Sequence, residues 1–242
     1  MKKAPALLAA LLVVTPAVSG SAVAGERLKY STTVSGIPLG SAKITVDGTA
    51  PDYTVRASFK MIPILRQILN GDAEARADGQ IVGGRHLPRR SVFRYEDRGG
   101  DKRTTITFDA AGIPVDLDAK PPIKPRSYRM TLGEAAGAVD PATAAAVLMA
   151  PRVQPCRLSF DVFDGTKRHR ISLTGRQAAT QGGVVTCTGL YERVNGFKDK
   201  YMTPERRTWP FTAQLVQRGV SWVPLKITAD TKFGPASVKL KR

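Results

Sequence analysis

The stretch from Cys156 to Cys187, C-RLSFDVF-DG-TKRHRISLT-GRQAATQGG-VVTC, constrains the fold of this chain more than any other. Leu158, Phe160 and Val162 alternate with Ser159, Asp161 and Phe163, the period of a half-buried strand. Asp164-Gly165 follows, and both residue types tolerate the positive φ of a type I′ turn, so the spacing predicts an antiparallel return over 166–174. A third run, 184–194, comes after a loop rich in Gly and Gln. The three runs read as a meander within one sheet.

That meander limits how Cys156 and Cys187 meet. Strands two places apart in a sheet lie about 9–10 Å apart, whereas a disulfide needs Cα atoms within about 7 Å. Cys156 must therefore lie outside the flat ladder, in the approach that follows Pro155, either folding over the sheet edge or reaching Cys187 where the sheet curls. A bridge here closes a loop of about 30 residues and contributes about 3–4 kcal/mol. Two unpaired buried thiols are the alternative.

The N-terminus favours the bridge. Lys2 and Lys3 precede an apolar run over 4–18 and then Ala22-Val23-Ala24, the pattern of a secretory signal predicted to be cut after Ala24. An uncleaved membrane anchor competes, but the run is short and broken by Pro16. No cysteine follows the small residues, so a lipid anchor is not indicated. Residues 1–24 are thus read as a signal peptide and 25–242 as a single all-β domain, without a transmembrane span, in an oxidising space where cysteines pair.

The formal charge of +17 remains strongly basic without Lys2 and Lys3. Such an excess favours anionic partners, and export argues against nucleic acid among them. A solvated basic surface is the plainer reading.

Alternating segments recur along the chain: 28–34, 42–46, 53–59, 73–77, 81–95, 103–108, 209–217, 222–230 and 236–240, separated by Gly, Asp-Gly and Asn-Gly signals. A turn is expected at Gly79-Gln80, and the strand is expected to bulge or change sheets at Pro88, which cannot donate to a ladder. Residues 113–128, with four prolines among lysines, read as an exposed extended loop. Two short helices are expected. One spans 61–70, with Pro63 in its first turn and Asn70-Gly71 as its stop, and reads as a plug over an apolar cavity, a membrane-touching element, or a cap on the end of a barrel. The other follows Asp140 as N-cap, in the run DPATAAAVLM. The expected fold is mainly β: a single curled antiparallel sheet forming an open barrel, with two short helices.

Gly36-Ile37-Pro38-Leu39-Gly40, Gly79 with Leu87-Pro88, Asp140-Pro141, Val162-Phe163-Asp164-Gly165 and Trp222-Val223-Pro224-Leu225 with Gly234 occur in an order that resembles the exported bacterial proteins of domain-of-unknown-function family 3108. The two cysteines are similar to those of its alphaproteobacterial branch. The resemblance implies a periplasmic, mostly antiparallel open barrel and transfers no catalytic residues. A fainter analogy at the level of fold alone links such a barrel to envelope lipoprotein carriers.

Catalytic patterns are sparse. His86 and His169 form no metal-binding pair, and neither a nucleophile elbow nor a Walker loop occurs. His169 lies in Lys167-Arg168-His169-Arg170, where Lys167 and His169 share one strand face and Arg168 and Arg170 the other, and it reads as part of a basic surface. Asp116 and Asp118 share a face, and Asp161 and Asp164 flank the hairpin turn, but no calcium-loop pattern follows. Neither a cofactor nor a metal is expected, and the sequence leans away from an enzyme.

Arg89, Arg90, Lys167, Arg168, Arg170, Arg206 and Arg207 are the candidate anion-binding residues, provided that the fold brings two or more of their groups onto one rim. The leading expectation is a periplasmic non-enzymatic binding protein for an anionic amphiphile or envelope component, held in an apolar interior. An envelope structural protein docking a protein partner is the first alternative, and a hydrolase using Asp116 and Asp118 the second.

Overall fold

A computed structural model describes residues 22–49, 51–66, 71–97, 100–175, 179–180 and 183–241. Apart from Ala22, Val23 and Ala24, the expected signal peptide lies outside them. Seven strands come first in the chain: β1 (Ala22–Val34), β2 (Ile37–Thr49), β3 (Asp52–Met61), β4 (Ala73–Val82), β5 (Arg85–Asp97), β6 (Gly100–Phe108) and β7 (Pro114–Lys120). The second group is β8 (Leu158–Phe163), β9 (Arg168–Thr174), β10 (Ala179–Thr180), β11 (Val184–Asn195), β12 (Thr208–Arg218), β13 (Ser221–Thr231) and β14 (Gly234–Leu240).

All of them join one antiparallel sheet. Its order is β7-β6-β5-β4-β3-β2-β1-β14-β13-β12-β11-β9-β8, with β10 added beside β11. Two consecutive meanders are therefore welded at β1 and β14, where Tyr30 pairs Leu240 and Val34 pairs Ala236. The sheet curls but does not close, leaving β7 and β8 as its two edges among the described residues.

The connection between those edges supplies the interior. Helix α2 (Pro141–Met149) packs on β3, β4, β5, β8 and β13. None of its residues is fully exposed. An Ala-rich helix suits this place because small side chains allow close approach to the sheet: Ala142 and Ala146 are buried with Val55, Ala77 and Val223 in one cluster. Asp140 caps the helix by accepting from the N–H groups of Ala142 and Thr143, and Pro141 occupies the first position, as the sequence predicts. Arg152 closes the other end by donating to the carbonyls of Leu148 and Ala150. Burial lowers its pKa to about 10.

The gap between the edges is filled as well. Val139 forms a parallel bridge to Val162 on the free side of β8. Its N–H donates to the Asp161 carbonyl, and its own carbonyl accepts from the Phe163 N–H. Ala135 and Ala138 pack with Ile106, Phe108 and Phe163, joining β6 to β8 through apolar contact.

Several boundaries differ from expectation. The turn after β4 lies at Gly83-Gly84, both at positive φ, because the ladder continues through Gly79 and Gln80. The register shift opposite Gly79 does fall where Pro88 interrupts β5. Part of the expected Pro-rich loop is β7: Pro114 lies at the start of an edge strand, where its missing N–H costs no central ladder bond. Asp164 does not open a two-residue turn. Its side chain accepts from the N–H groups of Thr166 and Lys167, and a four-residue loop results. Of the expected 61–70 helix, Pro63–Arg66 is helical as α1, and 67–70 lie outside the described residues. The interior helix is α2, whereas α1 belongs to the β3–β4 connection.

Cys156 and Cys187 form a disulfide with Cα atoms 5.2 Å apart. The ladder explains how they reach each other. Strand β9, which separates β8 from β11, ends at Thr174 opposite Thr188, one residue short of Cys187. Gly175 then leaves at a positive φ, and Cys156, just ahead of β8, meets Cys187 beyond the strand end. The bridge is buried against Leu173, Leu215 and Trp222.

Candidate functional site

Strands β2 to β6 have unlike faces. Val46, Val55, Ala77 and Ser91 form a cross-strand row. This row faces α2, and Ser91 hydrogen-bonds Asp140. Alternation sends the intervening residues to the other face. There Thr45, Arg56, Arg76, Val92 and Thr105 form one row. Lys43, Ser58, Glu74, Arg94 and Arg103 form the next. All of these except the buried Thr105, together with Asp78 and Arg90, line a trough of about 700 Å³. A second hollow of about 490 Å³ shares Glu74, Arg94 and Arg103 and continues toward Lys60 and Lys120.

The trough is electrostatically unbalanced. Its lining sets Arg56, Arg76, Arg90, Arg94, Arg103 and Lys43 against two carboxylates, Glu74 and Asp78. Both carboxylates have partners among neighbouring cations: Lys60 Nζ is 3.9 Å from Glu74, and Arg89 Nε is 3.7 Å from Asp78. Among the described residues, none of the five trough arginines forms an ion pair. Arg103 is half-buried, and its Nε is buried without a hydrogen-bond partner. Guanidinium groups clustered in a concavity create a positive potential that draws in anions, and their planar forks match phosphate and carboxylate oxygens.

The seven candidates from the sequence divide. Arg90 lines the trough, while Arg89 beside it is paired with Asp52 at 3.0 Å. The others lie in the second meander and just ahead of β12, and the curl of the sheet brings the β8–β9 loop back beside Thr104 and Leu117 on β6 and β7. Arg168 and Arg170 project from one face of β9 and clamp Asp161, with Nε–O distances of 2.7 Å each. Burial raises the Asp161 pKa, but the hydrogen bonds from Arg170 and Arg168 outweigh it and hold the carboxyl below its ordinary range. Arg207 pairs with Glu192 at 2.9 Å, Arg206 donates to the Lys200 carbonyl, and Lys167 lies 5.6 Å from the Phe197 ring. Of the seven, Arg90 alone lines the trough.

His169 also departs from expectation. It is not part of an open basic surface: Nδ1 hydrogen-bonds Tyr191 Oη, Nε2 lies 3.3 Å from Asp164 Oδ2, and the ring meets Phe197 edge-on. Burial raises the Asp164 pKa, yet the hydrogen bonds from His169 and the Thr166 N–H bring it below the usual value. Arg193 completes this cluster, 4.3 Å from the Trp209 ring. Asp116 and Asp118 lie exposed on β7. No group of three His, Cys, Asp or Glu side chains suited to a metal occurs among the described residues.

The family described as "Protein of unknown function (DUF3108)" matches residues 29–241. The chain belongs to this family. The DUF3108 match runs from β1 to the end of β14, so it takes in both meanders, the disulfide and the trough. No curated protein and no solved structure matches the chain. Among the described residues of this DUF3108 protein, no helix is long and apolar enough to cross a membrane.

Sequence reasoning missed Lys43, Arg56, Arg76 and Arg94 because they occur singly, and Arg103 because only Lys102 stands beside it. Their signal is a cation at the same alternation phase in consecutive strands, visible only once the strands are in register.

Proposed function

We propose that this DUF3108 chain is an exported, periplasmic, non-enzymatic binding protein whose β2–β6 trough engages an anionic component of the cell envelope. The observation that carries this reading is the set of five trough arginines without ion-pair partners among the described residues. The disulfide supports an oxidising compartment, and the N-terminal charge and apolar run support export.

The ligand is held by its charged groups rather than by an acyl chain. The hollow between α2 and the sheet rim, lined by Tyr53, His86, Ala146 and Met149, measures about 60 Å³, far below a lipid-sized cavity. An anionic amphiphile therefore docks through its headgroup.

Cosedimentation with phosphatidylglycerol vesicles and with vesicles of zwitterionic lipid tests this. The protein is expected to pellet with the anionic vesicles at low salt and to be released as salt screens the trough. An Arg76→Glu/Arg94→Glu variant should remain in the supernatant. Equal retention of this variant and the wild type overturns the assignment to the trough.

A further inference from the structure

The ladder sets like charges opposite one another at several places, Lys29 with Lys43, Arg103 with Lys120 and Lys226 with Lys239 among them, and two such pairs consist wholly of trough arginines. Arg56 stands directly opposite Arg76 across β3 and β4, and Arg94 directly opposite Arg103 across β5 and β6. Like charges directly opposed in a sheet are destabilising, so each pair costs free energy in the unliganded protein. One anion accepting from both guanidinium groups of a pair removes that repulsion. Phosphate suits this role, since its several oxygens can take two planar forks at once. The unpartnered, buried Nε of Arg103 is a donor already stripped of water that such an oxygen would satisfy.

The pairs are two strands apart, and Arg94 lies two residues along β5 from Val92, the partner of Arg76. Strand spacing and rise put the two pair centres about 12 Å apart at backbone level. Both lie in one trough. Building on the proposed function, we infer that the paired arginines form two phosphate clamps. Their ligand carries two phosphate groups roughly 10 Å apart, the span of one or two sugar units, within the reach of long side chains at this backbone separation. A soluble sugar bisphosphate and the bisphosphorylated sugar headgroup of a lipid share this chemistry.

Calorimetric titration with fructose 1,6-bisphosphate and with inorganic phosphate tests the inference on the full chain with its disulfide intact. The bisphosphate should bind at least about tenfold more tightly, because the second clamp is engaged intramolecularly. Arg56→Gln/Arg76→Gln should reduce bisphosphate affinity to that of phosphate while leaving a phosphate site at Arg94 and Arg103. These side chains are exposed or half-buried, and circular dichroism confirms that the variant folds. In the lipid arm, a bisphosphorylated disaccharide lipid should retain the protein better than phosphatidylglycerol at equal surface charge, and this preference together with weak binding of soluble bisphosphate identifies a lipid source. Equal affinity for both soluble anions with no vesicle preference, or equal weakening of both by the variant, overturns the clamps but leaves an anion-binding trough standing. Absence of binding to every anion, with the variant unchanged, overturns the trough reading as well.

Discussion

Tyr53 on β3 and Thr143 on α2 meet with their hydroxyl oxygens 3.0 Å apart, fastening the interior helix to the sheet. Thr143 donates onward to Asp140 at 2.5 Å, so the Tyr53 hydroxyl is the donor to Thr143. The chain of bonds ends on a fully buried carboxyl whose pKa burial pushes up, against the hydrogen bonds from Thr143, Ser91 and Ala142 that favour its ionised form. Sheet and helix therefore share one polar network inside an apolar core, and it fixes where α2 sits.

Asp140→Ala removes the cap and leaves the Thr143 and Ser91 hydroxyls and two backbone donors without their acceptor. A loss of about 2–4 kcal/mol is expected, against about 1 kcal/mol for Tyr53→Phe. Urea unfolding midpoints of the two variants check the order.

The Asp161 clamp makes stability depend on acid. Its folded pKa lies below the ordinary value, so its contribution is present above the unfolded carboxyl pKa and is lost as pH falls through the folded one. Asp161→Asn is expected to cost about 1–3 kcal/mol at neutral pH, less the share of Arg170, which is 43% exposed. The gap between wild type and variant should shrink below about pH 4 in thermal melts taken across pH.

Gly189 on β11 faces Phe211 on β12, and a Cβ placed there would run into the ring. Gly189→Ala must displace Phe211 from the disulfide cluster it packs against. A loss of about 1–3 kcal/mol is expected, read as a lowered melting temperature.

Reducing the Cys156–Cys187 bridge frees a loop whose ends are 31 residues apart in sequence. Chain entropy puts the loss at about 3–4 kcal/mol, measured as the shift in denaturation midpoint between oxidised protein and a Cys156→Ala/Cys187→Ala variant.

Much of this architecture is legible in the chain itself. Alternation locates most strands, Asp140-Pro141 marks the start of α2, and the order of runs implies a curled antiparallel sheet. The position of α2 is less so: DPATAAAVLM is apolar nearly all round, the mark of a helix buried on every side, but the more amphipathic run at 61–70 competes for the interior. Clusters such as Lys167-Arg168-His169-Arg170 draw attention because they are adjacent, yet Asp161, Asp164 and Tyr191 engage three of them. The trough is assembled by register from residues up to about 60 positions apart, and spacing along one strand carries no sign of it.

Arginine side-chain NMR tests the central claim most directly. Titrating phosphate into the labelled protein and following the Nε–Hε resonances should shift Arg56, Arg76, Arg90, Arg94 and Arg103, while Arg168, Arg170 and Arg207, held by Asp161 and Glu192, stay in place. Shifts concentrated on Arg168, Arg170 and Arg207, or spread evenly over every arginine, would contradict an anion site on the β2–β6 face.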